Sequence, residues 1–153
     1  MCCKALSYVT RGKVFSACVR SVLIYGSECW APRVCDTQRL LSNERWMLRW
    51  MVGKKCDRYT STTSLLHTFG LSPLGDILRL NRLRWYGHVQ RSNNWIKTCY
   101  EMEIPGTNPR GRPLKSWKET VLNDLREWVM PATADDRDAW RSCLKAHIKS
   151  NLI

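Results

Sequence analysis

Apolar residues recur every three or four positions along most of this chain, and this spacing constrains its fold more than any other feature. One stretch advances in steps of three, four, four and three residues: Leu114, Trp117, Val121, Leu125 and Trp128. Another follows Pro73, a residue type that suits the first turn of a helix. The sequence has no run of alternating β-branched residues that would indicate a strand. The pattern therefore predicts an all-α protein of five to six amphipathic helices in an irregular bundle.

Breaks in this periodicity divide the chain into four parts. Residues 1–56 are expected to form one helical segment, and residues 57–104 a second, basic one. Residues 105–113 contain three prolines and two glycines and are predicted to be a basic loop. Residues 114–153 are expected to form a C-terminal helical hairpin.

The charge of the chain is strongly positive and unevenly distributed. There are 25 Lys+Arg against 13 Asp+Glu, a net charge of +12. Residues 1–100 hold 16 of these bases and 5 of the acids, whereas residues 101–153 hold 9 and 8. Basic folded domains most often bind nucleic acid and less often an acidic membrane surface. We therefore expect DNA or RNA as the partner.

Two further features bear on location. The longest apolar run, Val22–Tyr25, is far too short to span a membrane, so no membrane contact is predicted. The residues after Met1 lack the apolar stretch and cleavage site of a secretory signal. We expect a nuclear or cytoplasmic protein that is not secreted.

Metal and cofactor sites are not predicted. The eight cysteines include no C-x2-C pair, which is the usual start of a structural zinc site. The best remaining ligands are Cys143 and His147, four residues apart, with His88 and Cys99 from elsewhere. Their spacing does not resemble a zinc knuckle, and we expect reduced, mostly buried thiols instead.

Catalytic patterns are also missing from the sequence. It has no glycine-rich phosphate loop and no G-x-S-x-G motif. The adjacent acids Asp135 and Asp136 could suggest a two-metal polymerase site, which requires a turn between apolar strands. Here they follow Thr133 and open a helix, where a T-x-x-D pair caps the amino terminus. We therefore predict a capping role and no enzymatic activity.

Basic and aromatic residues are interleaved between Arg79 and Arg91, with no acid among them. On a helix, one side is expected to pack and the other to face phosphate. The packing side would carry Leu78, Trp85 and Val89, and the phosphate side Arg79, Arg82 and Tyr86. The alternative is that the arginines are merely a solvated face.

Two further clusters have the same character. Trp46 and Trp50 are one turn apart, as are Arg45 and Arg49. This spacing usually means packing, so at least one tryptophan is predicted to lie in the core, with stacking on exposed bases as the alternative.

The run P-R-G-R-P at 109–113 matches the centre of an AT-hook, which inserts into the minor groove. The alternative is a stiff linker whose arginines contact phosphates or nothing.

From these clusters we predict seven basic side chains that contact phosphates or a groove. They are Arg49, Arg82, Arg84, Arg91, Arg110, Arg112 and Lys115. His88 is predicted to be structural or phosphate-facing, because no neighbour marks it as a general base.

Five short motifs, in order along the chain, resemble elements of the LINE-type (non-LTR) retrotransposon endonuclease-reverse transcriptases, particularly the RTE-like group. They are Y-G-S-E-C-W at 25–30, R-W-M-L-R-W-M at 45–51 with Gly53, L-R-W-Y-G-H-V-Q-R at 83–91, G-R-P at 111–113 with Trp117, and A-D-D-R-D-A-W-R at 134–141. Together they cover nearly the whole chain.

The resemblance implies the thumb and post-thumb C-terminal region of such an enzyme, with residues 1–56 as the thumb-like segment. In that family the palm, with its metal-binding carboxylates, and the endonuclease lie upstream, so no catalytic residue is implied for this chain. The implied role is to hold template-primer or target DNA by backbone contacts, with the missing palm as a further partner. Met1 is then expected to mark a truncated reading frame or a fragment, with a retained stand-alone gene as the alternative. The alternative is a non-functional remnant, or a helical protein-interaction domain with an orphaned palm-facing surface.

Overall fold

The computed structural model describes residues 6–53, 59–102, 110–111, 115–131 and 134–150, with side chains up to residue 148. The first helix, α1, has three consecutive segments: Tyr8–Phe15, the π-helical turn Ser16–Arg20, and Ser21–Leu23. The others are α2 (Val34–Val52), α3 (Thr62–Phe69), α4 (Leu74–Arg91), α5 (Trp95–Glu101), α6 (Trp117–Glu127) and α7 (Arg137–Ser150), with a 3₁₀ turn at Ser27–Cys29. The described residues contain no strand, which confirms the all-α class. Their seven helices slightly exceed the five to six expected.

Short polar side chains fix where several helices begin, because they accept hydrogen bonds from backbone N–H groups that have no partner in the first turn. Ser61 Oγ accepts from the Ser64 N–H at 3.1 Å, and Ser116 Oγ accepts from the Glu119 N–H at 3.1 Å. Asp136 Oδ1 accepts from the N–H groups of Asp138 (2.8 Å) and Ala139 (3.2 Å) at the start of α7. Asp136 caps the helix as predicted, but α7 begins at Arg137, directly after it, rather than at Thr133. The expected partner Thr133 lies outside the described residues.

The described residues form two hydrophobic cores. The first, the amino-terminal core, joins α1, α2 and α3. Its buried residues are Phe15, Leu48, Met51, Leu65, Leu66, Phe69 and Leu71. The expected boundary between residues 56 and 57 therefore does not separate two packing units. Helix α3 belongs with the segment before it, because its apolar side chains face α1 and α2 rather than α4.

The second core, the carboxy-terminal core, is built around α4. Its buried residues are Leu80, Leu83, Tyr86, Val121, Leu125, Trp128, Ala134, Trp140 and Leu144. Helices α6 and α7 both pack against α4. The two helices of the expected C-terminal hairpin thus share α4 as their common support.

Polar contacts connect the two cores. Asn81 Nδ2 on α4 donates to Ser27 Oγ in the 3₁₀ turn at 3.0 Å, and Trp117 Nε1 on α6 donates to the Glu28 carbonyl at 2.7 Å. The buried Arg20 donates to Glu44 Oε1 through Nε at 2.6 Å and to the Ser72 carbonyl at 2.8 Å. The segment between α1 and α2 is therefore held against α4.

The helices of the described part of the chain are too short or too polar to cross a membrane. Five cysteines lie in that part, and all five are exposed free thiols, so the expectation of mostly buried thiols is wrong for them: Cys18, Cys29, Cys35, Cys99 and Cys143. Within the same residues, no three His, Cys, Asp or Glu side chains are grouped to hold a metal ion. The ring of His147 instead stacks on Trp128, with centroids 5.1 Å apart.

Candidate nucleic-acid interface

A cleft of about 620 Å³ lies between α4 and α7. Its floor is apolar, with Leu80, Trp140, Leu144 and Ile148. Its rim consists of six side chains: Arg84, His88, Arg91, Arg137, Arg141 and Lys145. We call the whole cavity the basic cleft. Among the described residues that line it there is no Asp or Glu. Five Arg and Lys side chains thus face one cavity whose described lining residues include no carboxylate.

The spacing of the rim residues explains why they meet. Residues three or four apart share one face of a helix. Arg84, His88 and Arg91 form such a row on α4, and the cations of α7 form another, each four residues after the last. The helices run in opposite directions, since Arg91 at the end of α4 contacts Ala134 while Leu83 contacts Trp140. Antiparallel packing therefore sets the two basic rows side by side.

A glycine allows the two helices to approach closely. A Cβ atom at Gly87 would lie 2.5 Å from Nε1 of Trp140, closer than real Cβ contacts. That indole nitrogen donates to the Leu83 carbonyl at 3.2 Å. Arg91 Nη1 donates to the Ala134 carbonyl at 2.7 Å, which joins the end of α4 to the residues before α7. The width of the basic cleft thus depends on Gly87, Trp140 and Arg91.

Neutral aromatic groups support the cleft from behind. The Tyr86 ring lies 6.0 Å from both Trp140 and Tyr100, measured between centroids. Burial raises the pKa of the Tyr86 phenol above its ordinary value of 10.0, and the neighbouring Tyr100 adds to the shift. This phenol is therefore neutral at physiological pH and leaves the charge of the cleft to its basic rim.

Of the six predicted contact residues that the structure describes, Arg84 and Arg91 are brought together in this cleft. Arg84 is exposed, and Arg91 is half-buried with one guanidinium nitrogen used internally. His88, predicted to be structural or phosphate-facing, is exposed on the same rim, with its ring 5.1 Å from Trp85.

The prediction that Arg79, Arg82 and Tyr86 face phosphate from one side of α4 is wrong. Arg82 is 6% exposed, and its Nε and Nη2 donate to the two carboxylate oxygens of Asp124 at 2.7 and 3.2 Å. Tyr86 is buried as well, and Arg79 forms ion pairs with Asp76, Asp124 and Glu127. Arg79 and Arg82 face α6 because its acidic residues Asp124 and Glu127 lie opposite them. The Tyr86 ring packs instead on Tyr100 and Trp140. Arg82 is thus a core ion-pair residue and not a surface contact.

The remaining predicted residues are dispersed. Arg49 is half-buried on α2 and donates to the Thr60 carbonyl at 2.9 Å. Lys115 is exposed beside a different hollow, which also contains Asp124 and Glu127. Arg110 is exposed, while Arg112 and most of the P-R-G-R-P run lie outside the described residues.

Sequence reasoning missed half of the basic cleft, namely Arg137, Arg141 and Lys145. Their regular spacing of four residues is visible in the sequence. The low net charge of residues 101–153 concealed it, because Asp135, Asp136 and Asp138 precede or interrupt the row. A helical projection of each segment, rather than its summed charge, would have found them.

Comparison of the chain with protein-family models, with curated proteins and with solved structures finds no match.

Proposed function

We propose that this chain binds nucleic acid through its phosphate backbone, with the basic cleft as the principal contact site. The observation that carries the proposal is the convergence of five Arg and Lys side chains from two helices on one cavity. Arginine suits this task because its planar guanidinium binds phosphate oxygens in a two-pronged geometry. Four of the five cations are arginines.

The proposed binding is largely independent of sequence. Contacts to phosphates fix position and orientation, whereas bases are distinguished by contacts to their edges. Arginine also reads guanine, but Asn and Gln, which read adenine, are not among the described residues that line the cleft. The role we propose is therefore to hold a DNA, RNA or hybrid strand in place.

We further propose that this module is the C-terminal region of a LINE-type reverse transcriptase, holding template-primer or target DNA for a catalytic palm. Contacts between the motifs that carry this resemblance support treating them as one unit. Gly87 of the L-R-W-Y-G-H-V-Q-R motif packs on Trp140 of the A-D-D-R-D-A-W-R motif. Trp117 donates to the carbonyl of Glu28 in the Y-G-S-E-C-W motif.

A salt titration with labelled duplex DNA, RNA–DNA hybrid and single strands tests the proposal. If about five phosphates are neutralised, log affinity for B-DNA should fall with log salt at a slope near −4.5. The double variant Arg84→Gln/Arg141→Gln should lower affinity for all sequences alike and make the slope shallower by about 2.

The matched control is Arg33→Gln/Arg39→Gln, which removes the same charge from two exposed arginines at the start of α2. It should leave the slope nearly unchanged, because those side chains lie outside the cleft. Binding that does not depend on salt, or an equal effect of the two double variants, would overturn the proposal.

A further inference from the structure

Two tryptophans on α2 are left uncovered by the fold. Trp46 and Trp50 are 68% and 60% exposed, so the prediction that at least one of them lies in the core is wrong. By contrast, Trp128 and Trp140 are 5% and 4% exposed. An indole is among the largest apolar surfaces that a side chain offers, and adjacent exposed ones mark a contact site.

The two indoles border an apolar hollow between α1 and α2. The hollow has a volume of about 250 Å³, and its other described lining residues are Phe15, Val19, Met47 and Met51. Phe15 and Met51 form a floor that is at least 97% buried. We call this surface the tryptophan face.

The charge next to the tryptophan face is positive. Within residues 45–52 the ionisable side chains are Arg45, which is exposed, and Arg49, which is half-buried. The acid that precedes them, Glu44, is 2% exposed and is occupied by Arg20. A second copy of this chain would bring another positive surface against the first, which opposes self-association. The complementary partner is therefore an anion with flat apolar groups.

We infer that the tryptophan face stacks unpaired bases of single-stranded nucleic acid, with Arg45 beside the backbone phosphates. This inference rests on the proposed function and specifies its ligand. Aromatic side chains interleaved with basic ones are the usual platform for single strands, because every base has a stacking face. Four residues rise about 6 Å along a helix, so Trp46 and Trp50 can each take a separate base. Paired bases inside a duplex would not reach them.

The test measures the affinity of the full chain for a labelled oligothymidylate of about 10 nucleotides, within the usual site size for single strands. Trp46→Leu/Trp50→Leu removes both aromatic faces but keeps apolar side chains there. Its affinity for the strand should fall at least about tenfold, while its affinity for duplex DNA stays unchanged. Trp95→Leu is the matched control, because Trp95 is 73% exposed on α5, and it should bind like wild type.

An abasic strand of equal length separates stacking from charge, since it keeps every phosphate. Wild type should bind it about as weakly as the double variant binds oligothymidylate. Equal wild-type affinity for abasic and thymidine strands would overturn the inference. The inference would also be overturned if the double variant bound the strand as tightly as Trp95→Leu does. If the double variant kept that affinity but differed from wild type in its mass by light scattering, the tryptophan face would be a protein interface instead. Loss of salt-dependent binding to every probe would instead overturn the proposed function itself.

Discussion

Two arginines of α4, separated by a single residue, have opposite environments. Arg82 points into the protein and binds both carboxylate oxygens of Asp124. Arg84 is exposed on the rim of the basic cleft, opposite the cations of α7. Two residues turn about 200° around a helix, so these side chains leave it on nearly opposite sides. On the inward side of α4, the positive charge of Arg82 is thus neutralised by Asp124. On the outward side, the positive charge of Arg84 adds to that of the α7 cations.

This contrast shows that positive charge in the sequence is not the same as charge available to a ligand. Arg79, Arg82 and Arg20 all pair with carboxylates within the protein. The basic cleft owes its charge instead to Arg and Lys side chains whose cavity has no Asp or Glu among its described lining residues. The inward and outward sides of α4 should therefore respond differently to substitution.

The largest effect is expected from Arg82→Met. It leaves the buried Asp124 without its two-pronged partner and should lower the free energy of unfolding by about 3–5 kcal/mol. Arg84→Met, the matched exposed change, should stay within about 0.5 kcal/mol of wild type. Urea denaturation of both variants makes the comparison. The double variant Arg82→Met/Asp124→Leu should recover much of the loss, because neither charge remains. Equal stability of the two single variants would contradict the inward placement of Arg82.

Gly87→Ala should have the next largest effect. The added methyl group would meet the Trp140 indole at 2.5 Å and force α4 and α7 apart, at a cost of about 1–3 kcal/mol. Gly75→Ala on the same helix meets nothing within 4 Å and should stabilise by up to about 1 kcal/mol through helix propensity. Thermal unfolding should therefore shift in opposite directions. Shifts of the same sign would mean that α7 does not pack this closely on α4.

Much of the fold could be predicted from the sequence, because helices depend on local spacing. The period from Leu114 to Trp128 and the capping role of Asp136 depend on residues within a few positions of each other. The distinction between Arg82 and Arg84 could not be predicted in this way. The partner of Arg82 is 42 residues away, and only the packing of α6 on α4 brings it close.

The candidate sites show the same limit. The spacing of the tryptophans on α2 is typical of a helix interface, and it predicts that at least one of them packs. The side chains of α2 that pack against α1 and α3 are instead Leu48 and Met51, on the neighbouring side of the same helix. The net charge of residues 101–153 does not indicate the cations of α7, because Asp135, Asp136 and Asp138 cancel them in that total. A summed charge contains no information about which side of a helix each residue occupies.

Replacement of Arg91 should affect both stability, as for Arg82, and nucleic-acid affinity, as for Arg84. Its Nη1 donates to the Ala134 carbonyl, and its remaining donors belong to the basic cleft. Arg91→Met should cost about 1 kcal/mol of stability through the lost hydrogen bond. It should also make the salt slope shallower by about 0.9, the value for one phosphate contact. Urea denaturation and salt titration measure the two effects separately. A change in the slope alone would place Arg91 with Arg84, and a change in stability alone would place it with Arg82.

The smallest effect is expected from Arg110→Ala/Arg112→Ala, in the P-R-G-R-P run. Arg110 is exposed and is not part of the basic cleft, so its replacement alone should leave stability within about 0.5 kcal/mol of wild type. If these arginines contact only the backbone, affinity should fall to the same extent on A·T-rich and G·C-rich duplexes, and by less than for the Arg84→Gln/Arg141→Gln variant. Anisotropy titrations on the two duplexes at equal salt provide the measurement. A loss confined to the A·T-rich duplex would instead identify minor-groove insertion, because narrow A·T tracts concentrate negative potential there. Base composition would then be read by the loop, while the outward side of α4 holds the strand.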